Sequence, residues 1–321
     1  MNILITGCGG FVGSYLAEVE LKRGNTVVGV DIADTVKINH LLNNDNFTYC
    51  KHSVLEKPLM KSLIKKCDLL YHFAAIADPV IYCKNPMKVL EVDLEATQLM
   101  IKLAYKYEKK IVFSSTSEVF GKNPRVPWNE DSDRVLGSTR MNRWSYSTSK
   151  AIGEHYCRAY AMEGLKYTIL RFFNFYGPRL DFIGTGRVMT CFLDSFFKGK
   201  DIEVVEPGDQ TRCFTYIDDG IEGILKASEV DNDDFNLGST HEISIFELAK
   251  LMKKVGNFKS DIVFIPAEKK YGEGYDDIPR RVPDCSKAER VLGWKPTISL
   301  EEGLEKTIKY YKGFYFGMEY K

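Results

Sequence analysis

The sequence predicts an α/β fold: a Rossmann-type, doubly wound parallel sheet with a smaller C-terminal substrate-binding lobe. Three observations carry that prediction. Short apolar runs alternate with helical periods through the first half of the 321-residue chain. A glycine-rich turn joins the first apolar run to the first helix. Beyond Tyr176 the alternation loosens into loops rich in Gly, Pro, Arg and Tyr.

The elements follow in order. NILIT (2–6) reads as a buried strand, and FVGSYLAEVELKRG (11–24) as a helix closed by Gly24. TVVGVD (26–31) and DLLYHF (68–73) are further strands. The stretch 85–107 reads as one long helix with apolar positions at Val89, Val92, Ala96, Leu99, Leu103 and Tyr107. KKIVFSS (109–115) is a strand, 145–164 a helix, and KYTILRFFN (166–174) a strand. Strands alternating with helices argue for a parallel sheet covered on both faces. The expected division gives residues 1–174 to a cofactor domain, with 213–237 returning to it. Residues 175–212 and 238–321 then form the lobe that closes over a ligand.

Composition narrows the function. Lys+Arg and Asp+Glu each number 44, so the formal net charge is zero and no nucleic-acid or membrane surface is expected. The eight cysteines form no CxxC pair and the five histidines no HExxH, so neither a zinc site nor a disulfide framework is expected. No apolar run is long enough to span a bilayer, and the N-terminus lacks a basic leader. A reducing cytoplasm fits best.

The chemistry-bearing motifs begin with TGCGGFVG (6–13). Gly7, Gly10 and Gly13 at a strand-to-helix junction allow a tight turn and bring a pyrophosphate to the helix N-terminus. Asp31 ends the next strand, where a carboxylate can bond both ribose hydroxyls of NAD and repel the 2′-phosphate of NADP. Tyr146 and Lys150, four apart on a helix, share a face. An ammonium and an oxidised nicotinamide beside the phenol favour its anion, so the Tyr146 pKa is expected to fall towards the working pH. Tyr105 and Lys109 repeat the spacing but read as a solvated helix end. What distinguishes Tyr146 is the neighbouring SSTSEVFG (114–121), whose hydroxyls and Glu118 can meet the same substrate. Strand alternation would put Thr116 and Glu118 on one face.

With these motifs in order, and with YHFAA, RFFNFYGPR, TRCFTYIDD and LGWKP beside them, the chain resembles the extended short-chain dehydrogenase/reductases of the NAD-dependent epimerase/dehydratase group over nearly its whole length. Within that group it most resembles the UDP-glucuronic acid decarboxylases. The finer likeness lies in 75–95, in NRWSYSTSK (142–150) and in YGEGYDDIPRRVPD (271–284).

The resemblance implies roles for particular residues. Thr116 would bond the sugar O4, Ser117 and Glu118 would line the pocket at C5 and C6, and Tyr146 would be the base with Lys150 its partner. Arg281 would meet the uronate carboxylate. Asn174, Arg187 and Tyr275 would hold the nucleotide, and Arg212 its diphosphate. Phe11, Val12, Ile32, Val54, Phe73, Ala74 and Ala75 would join Gly7, Gly10, Gly13 and Asp31 around NAD. No metal is implied.

Two positions depart from the pattern: Ser53 stands where an Asp often meets adenine, and Glu203 where close relatives carry Lys. Ser117, where apiose-forming enzymes carry Cys, favours plain decarboxylation over ring contraction. Oxidation at C4 of a UDP-uronate makes a β-keto acid, which loses CO2. The product would be UDP-xylose or the free 4-keto-pentose nucleotide. A 4,6-dehydratase, a 4-epimerase and a non-catalytic NAD sensor are the other readings. The apolar faces of 85–107 and 145–163 lie where relatives build a four-helix interface, so a homodimer is expected.

Overall fold

Seven parallel strands form the main sheet of the computed structural model, which describes residues 1–184, 187–272 and 276–316. Six come early: β1 (Asn2–Thr6), β2 (Thr26–Asp31), β3 (Phe47–Lys51), β4 (Leu69–His72), β5 (Lys110–Thr116) and β6 (Tyr167–Phe172). Three short strands, β7 (Phe175–Tyr176), β8 (Ile202–Val205) and β9 (Thr211–Cys213), leave the sheet. β10 (Thr215–Tyr216) pairs with β7, and β11 (Asp233–Leu237) then returns to the sheet beside β6. The spatial order is β11-β6-β5-β4-β1-β2-β3. The order reverses between β1 and β4, and a ligand crevice is expected beyond the C-terminal ends of those strands.

Each strand contributes alternate residues to two cores. On one face, Ile3, Ile5, Val27, Tyr71, Val112 and Leu170 pack under α1 (Phe11–Lys22). On the other, Leu4, Val30, Leu70, Ile111, Phe113 and Ile169 pack under α2 (Lys57–Lys66) and α5 (Thr97–Lys106), while Tyr82 of α3 (Pro79–Lys84) and Val89 of α4 (Pro86–Val89) form a separate cluster with Tyr146. Helix α6 (Trp144–Ala161) lies beside α5 on that second face.

The stretch 85–107 departs from the single regular helix expected. Between α4 and α5, residues Leu90–Ala96 wind as a π-helix. The wider turn rotates the register and carries Asp93 to full burial. An apolar pattern spaced at 3.6 does not reveal that step.

Beyond β7 come α7 (Val188–Phe197) and, after α8 (Ile217–Ser228) has covered the first face of the main sheet, the remaining elements. These are β12 (Glu242–Ser244), α9 (Ile245–Gly256), β13 (Ile262–Ile265), α10 (Ala267–Tyr271), β14 (Arg280–Arg281), α11 (Ser286–Leu292) and α12 (Leu300–Tyr315). β13 pairs with β8, and β12-β9-β14 form a three-stranded sheet. Its backbone bonds bring Arg281 opposite Arg212. Among the described residues no helix is long and apolar enough to cross a membrane.

Candidate active site

The glycine turn shapes one end of the crevice. Gly7 takes φ +77°, and a Cβ there would lie 2.6 Å from Ala74 N. A Cβ on Gly13 would lie 2.1 Å from the Gly7 carbonyl oxygen. Only glycine lets the helix come this close to the strand end. Helix α1 starts at Phe11 with Gly10 as its N-cap and no side chain capping it. Its leading N–H groups and dipole are therefore suited to a pyrophosphate.

Asp31 stands at the rim of this turn. Its carboxylate accepts bonds from Gly9 N (2.9 Å) and Ala33 N (3.0 Å). Ile32 beside it is 62 % exposed, whereas Val54 is buried. Phe73, Ala74 and Ala75 follow β4 directly, and the backbone N–H of Phe73 and Ala74 meets Thr6 Oγ1. Ser53 is engaged in a local turn, donating its N–H to Glu56 and accepting from Leu55 N. These residues fit a dinucleotide.

Strand β5 and helix α6 bring several of the expected site residues together. Tyr146, Thr116 and Glu118 line one cavity of about 250 Å³. Lys150 is fully buried behind them, donating to Ser114 O at 2.9 Å. Its Nζ lies 5.9 Å from the centre of the Tyr146 ring. Tyr82 of α3 stacks on that ring, with centroids 4.6 Å apart and planes within 7°.

One expectation is corrected here. The strand ends at Thr116, and residues 117–120 form a 3-10 turn, so Thr116 and Glu118 are not alternate strand positions. The Thr116 hydroxyl accepts from Glu118 N at 3.2 Å, closing the turn that swings Glu118 into the cavity. Without the nicotinamide the Tyr146 phenol is not held low. Burial, followed by the charges of Asp93 and Glu118, pushes it up. Burial pushes Lys150 down, and Asp93 opposes that shift.

Glu118 sits between two guanidiniums. Arg281 Nη2 donates to its Oε1 at 3.3 Å, and Arg143 Nη2 lies 3.5 Å from the same oxygen. All three side chains are nearly inaccessible. Burial alone would raise the Glu118 pKa, but Arg143, Arg281 and Arg212 outweigh it and hold the carboxylate below its usual range. Its other oxygen, Oε2, is buried and accepts no hydrogen bond.

The remaining expected residues surround this core. Asn174 takes φ +44°, a left-handed conformation that Asn tolerates, and anchors itself through Nδ2 to Cys213 O. Arg212 bonds Ile278 O and Asp277, at 2.7 and 2.8 Å. Arg187 pairs with Asp181 at 2.8 Å while also lining the cavity. Ser117 Oγ lies 3.4 Å from Arg281 Nη1. Glu203 lines the outer cavity and pairs with Lys269. Tyr275 lies outside the described residues. Among those that are described, no group of three or more His, Cys, Asp or Glu could hold a metal ion.

Reading the sequence by residue type missed Arg143, Tyr82, Asp93 and Asp277. Arg143 lies within NRWSYSTSK, three residues before Tyr146. That spacing on a helix start was the available signal.

Comparison with known proteins is consistent with this geometry. The family described as GDP-mannose 4,6 dehydratase matches residues 4–307. A UDP-N-acetyl-alpha-D-glucosaminuronate decarboxylase of Bacillus cytotoxicus is 38 % identical over 312 residues, covering 96 % of this chain and 97 % of that one. The UDP-glucose 4-epimerase of Thermotoga maritima, solved with UDP-glucose, superposes with a TM-score of 0.89 at 30 % identity, covering 98 % of this chain and 100 % of that one. The UDP-glucuronic acid 4-epimerase of Bacillus cereus, solved with UDP-glucuronic acid and NAD, gives a TM-score of 0.87 at 27 % identity, with the same coverage. With its parallel sheet, glycine turn and Tyr–Lys helix, the chain belongs to the GDP-mannose 4,6 dehydratase family, among the extended short-chain dehydrogenase/reductases.

Proposed function

We propose that the protein decarboxylates a nucleotide-activated uronic acid, with NAD as its cofactor. One observation carries this reading: Arg281 and Arg143 converge on Glu118 beside Tyr146 and Thr116. Three guanidiniums, Arg143, Arg212 and Arg281, act on two carboxylates, Glu118 and Asp277, and the positive charge left over favours a further anion. A uronate C6 carboxylate supplies it, and the hydroxymethyl group of a hexose does not.

The roles follow from position. Thr116 and Tyr146 hold the C4 hydroxyl, and Tyr146 takes its proton. Gly7, Gly10, Gly13 and Asp31 would hold NAD, which would supply a hydride acceptor for C4 and a hydride donor for the ketone. The C5–C6 bond of the resulting β-keto acid breaks, CO2 leaves, and its electron pair stays as an enolate. Arg281 orients the carboxylate before that step. Glu118 then handles the proton that C5 gains. Arg187, Arg212, Asn174 and Tyr275 are assigned to the nucleotide and diphosphate.

UDP-glucuronate is the proposed substrate. Its 2-N-acetylated counterpart is the second, favoured by the Bacillus cytotoxicus relative. We assign NAD binding to residues 1–174 and 213–237 and the nucleotide sugar to the rest. The chain is taken to act as a homodimer through the faces of 85–107 and 145–163, where Met87 (63 %), Tyr105 (37 %) and Met162 (88 %) are exposed.

The test mixes protein and NAD with each uronate nucleotide and follows product mass. Loss of CO2 is expected. Loss of water from a hexose nucleotide instead would make the enzyme a dehydratase, and inversion without mass change an epimerase. NAD binding with no turnover of any nucleotide sugar would leave the sensor reading.

A further inference from the structure

We propose that Asp93 is a positioning residue of the proton-transfer site, acting by its charge on Lys150 and, across it, on Tyr146. Asp93 belongs to the π-helical turn and is fully buried. Its Oδ2 accepts from Ile76 N at 3.1 Å. Its Oδ1 is buried, accepts no hydrogen bond, and lies 3.8 Å from Lys150 Nζ. That is too long for a hydrogen bond and close enough for strong Coulomb coupling in a dry interior. An asparagine would satisfy Ile76 equally well. The feature that only a carboxylate supplies at this point is charge.

The groups packed around Asp93 define what that charge does. Helix α6 presents Lys150 and Tyr146, and α3 presents Tyr82. Strand β4 presents His72, which bonds Thr6 on one side and Thr97 on the other. Burial, then Lys150, pushes the His72 pKa down to about 3, so that ring is neutral. Burial pushes Asp93 up to about 6, against the pull of Lys150. Glu118 and Arg187 also act on Tyr146 from the cavity side. Lys150 is thus the one ammonium beside Asp93 among these groups.

The Asp93 charge raises both Tyr146 and Lys150 relative to an uncharged neighbour. The form that removes the C4 proton pairs a Tyr146 phenolate with a Lys150 ammonium. That form is present only between the first and the second proton loss of the Tyr146–Lys150 pair, so activity follows a bell whose limbs belong to the pair. Asp93 sets where on the pH scale this window lies. The proposal rests on Tyr146 taking the hydroxyl proton and not on decarboxylation.

The experiment compares wild type with Asp93→Asn, which keeps the bond to Ile76. The rate of NADH formation in a single turnover is followed against pH with UDP-glucuronate and with the N-acetylated uronate nucleotide. Both limbs of the bell are expected to move to lower pH by about one unit. Asp93→Glu, which keeps the charge, should leave the bell where it is in wild type even if its height drops. A second readout is the tyrosinate absorbance of the NAD-loaded protein, with Tyr146→Phe as the blank. It should move the same way. Superimposable profiles for Asp93→Asn and wild type, or a move to higher pH, would overturn the proposal and leave Asp93 a brace for Ile76. If Asp93→Asn does not fold, Asp93→Ser carries the same expectation. If no nucleotide sugar reduces NAD, the proposed function has failed, while the tyrosinate titration still decides the role of Asp93.

Discussion

Arg280 and Arg281 are adjacent, yet their environments are opposite. Arg280 lies on the surface, with two bonds of 2.8 Å to Glu242, whereas Arg281 is buried against Glu118. Successive residues of the short strand β14 must point to opposite faces. The pairing of β14 with β9 decides which of the two is buried. A guanidinium can grip a carboxylate through two parallel bonds, and an ammonium cannot. Arg281→Lys is therefore expected to cut turnover of a UDP-uronate by more than about tenfold, near 1.4 kcal/mol in the barrier. Binding of UDP-glucose should hardly change. Equal losses for both ligands would move Arg281 to the diphosphate. The Tyr146–Lys150 pair was legible because a helix fixes its geometry locally. The position of Glu118 was not, because one hydroxyl bond from Thr116 ends the strand early and no alternation rule registers it.

At the scale of elements, helix α6 is anchored by a residue that sequence reading passed over. Glu154, one turn beyond Lys150 on the same face, accepts from Ser115 Oγ at 2.5 Å. It also takes two bonds from Arg171 of β6, at 2.9 and 2.6 Å. One buried carboxylate thus ties the helix bearing Tyr146 to the strand bearing Thr116. Burial alone would raise the Glu154 pKa, but its bonds with Arg171 and Ser115 hold it below the usual range. A depressed carboxylate stabilises the fold above its unfolded-state pKa, and that stability is lost as pH falls through the folded value. Glu154→Gln should then destabilise the protein by about 3 kcal/mol at neutral pH, leaving Arg171 buried with less compensation. The gap from wild type should narrow in denaturant titrations as pH drops below the ordinary glutamate range. A gap that stays constant with pH would mean that packing, not charge, is lost. The pairing was invisible in sequence because Ser115, Glu154 and Arg171 lie far apart along the chain. The π-turn was invisible because one extra residue per turn leaves the apolar spacing nearly intact.

For the whole molecule, most of the sheet could be read in advance. Parallel strands buried on both faces are apolar throughout, and the glycine turn fixes where the first helix begins. The small sheet β12-β9-β14 could not be read, since strands of two or three residues carry no period. The outer surface supplies the test of assembly. Tyr105 lies 5.0 Å from Tyr160 across α5 and α6, and with Met87 and Met162 it leaves apolar area towards solvent. Light scattering at micromolar concentration is expected to give the mass of two chains, and Tyr105→Glu should shift it towards one. A wild-type monomer would contradict the interface.

The short strand that carries Arg281 has a consequence in time. Trp128 donates its backbone N–H to Val282 O and accepts from Asp284 N, so the segment after Arg281 is laced onto a loop made much earlier. A ribosome releases the glycine turn, Thr116 and Tyr146 long before it releases residue 281. Until then a nascent chain owns the groups assigned to oxidation but lacks the guanidinium assigned to the carboxylate. The late segment therefore works as an ignition key. On the proposed chemistry, the machinery for withdrawing hydride is built first, and the grip that directs it at a uronate arrives later.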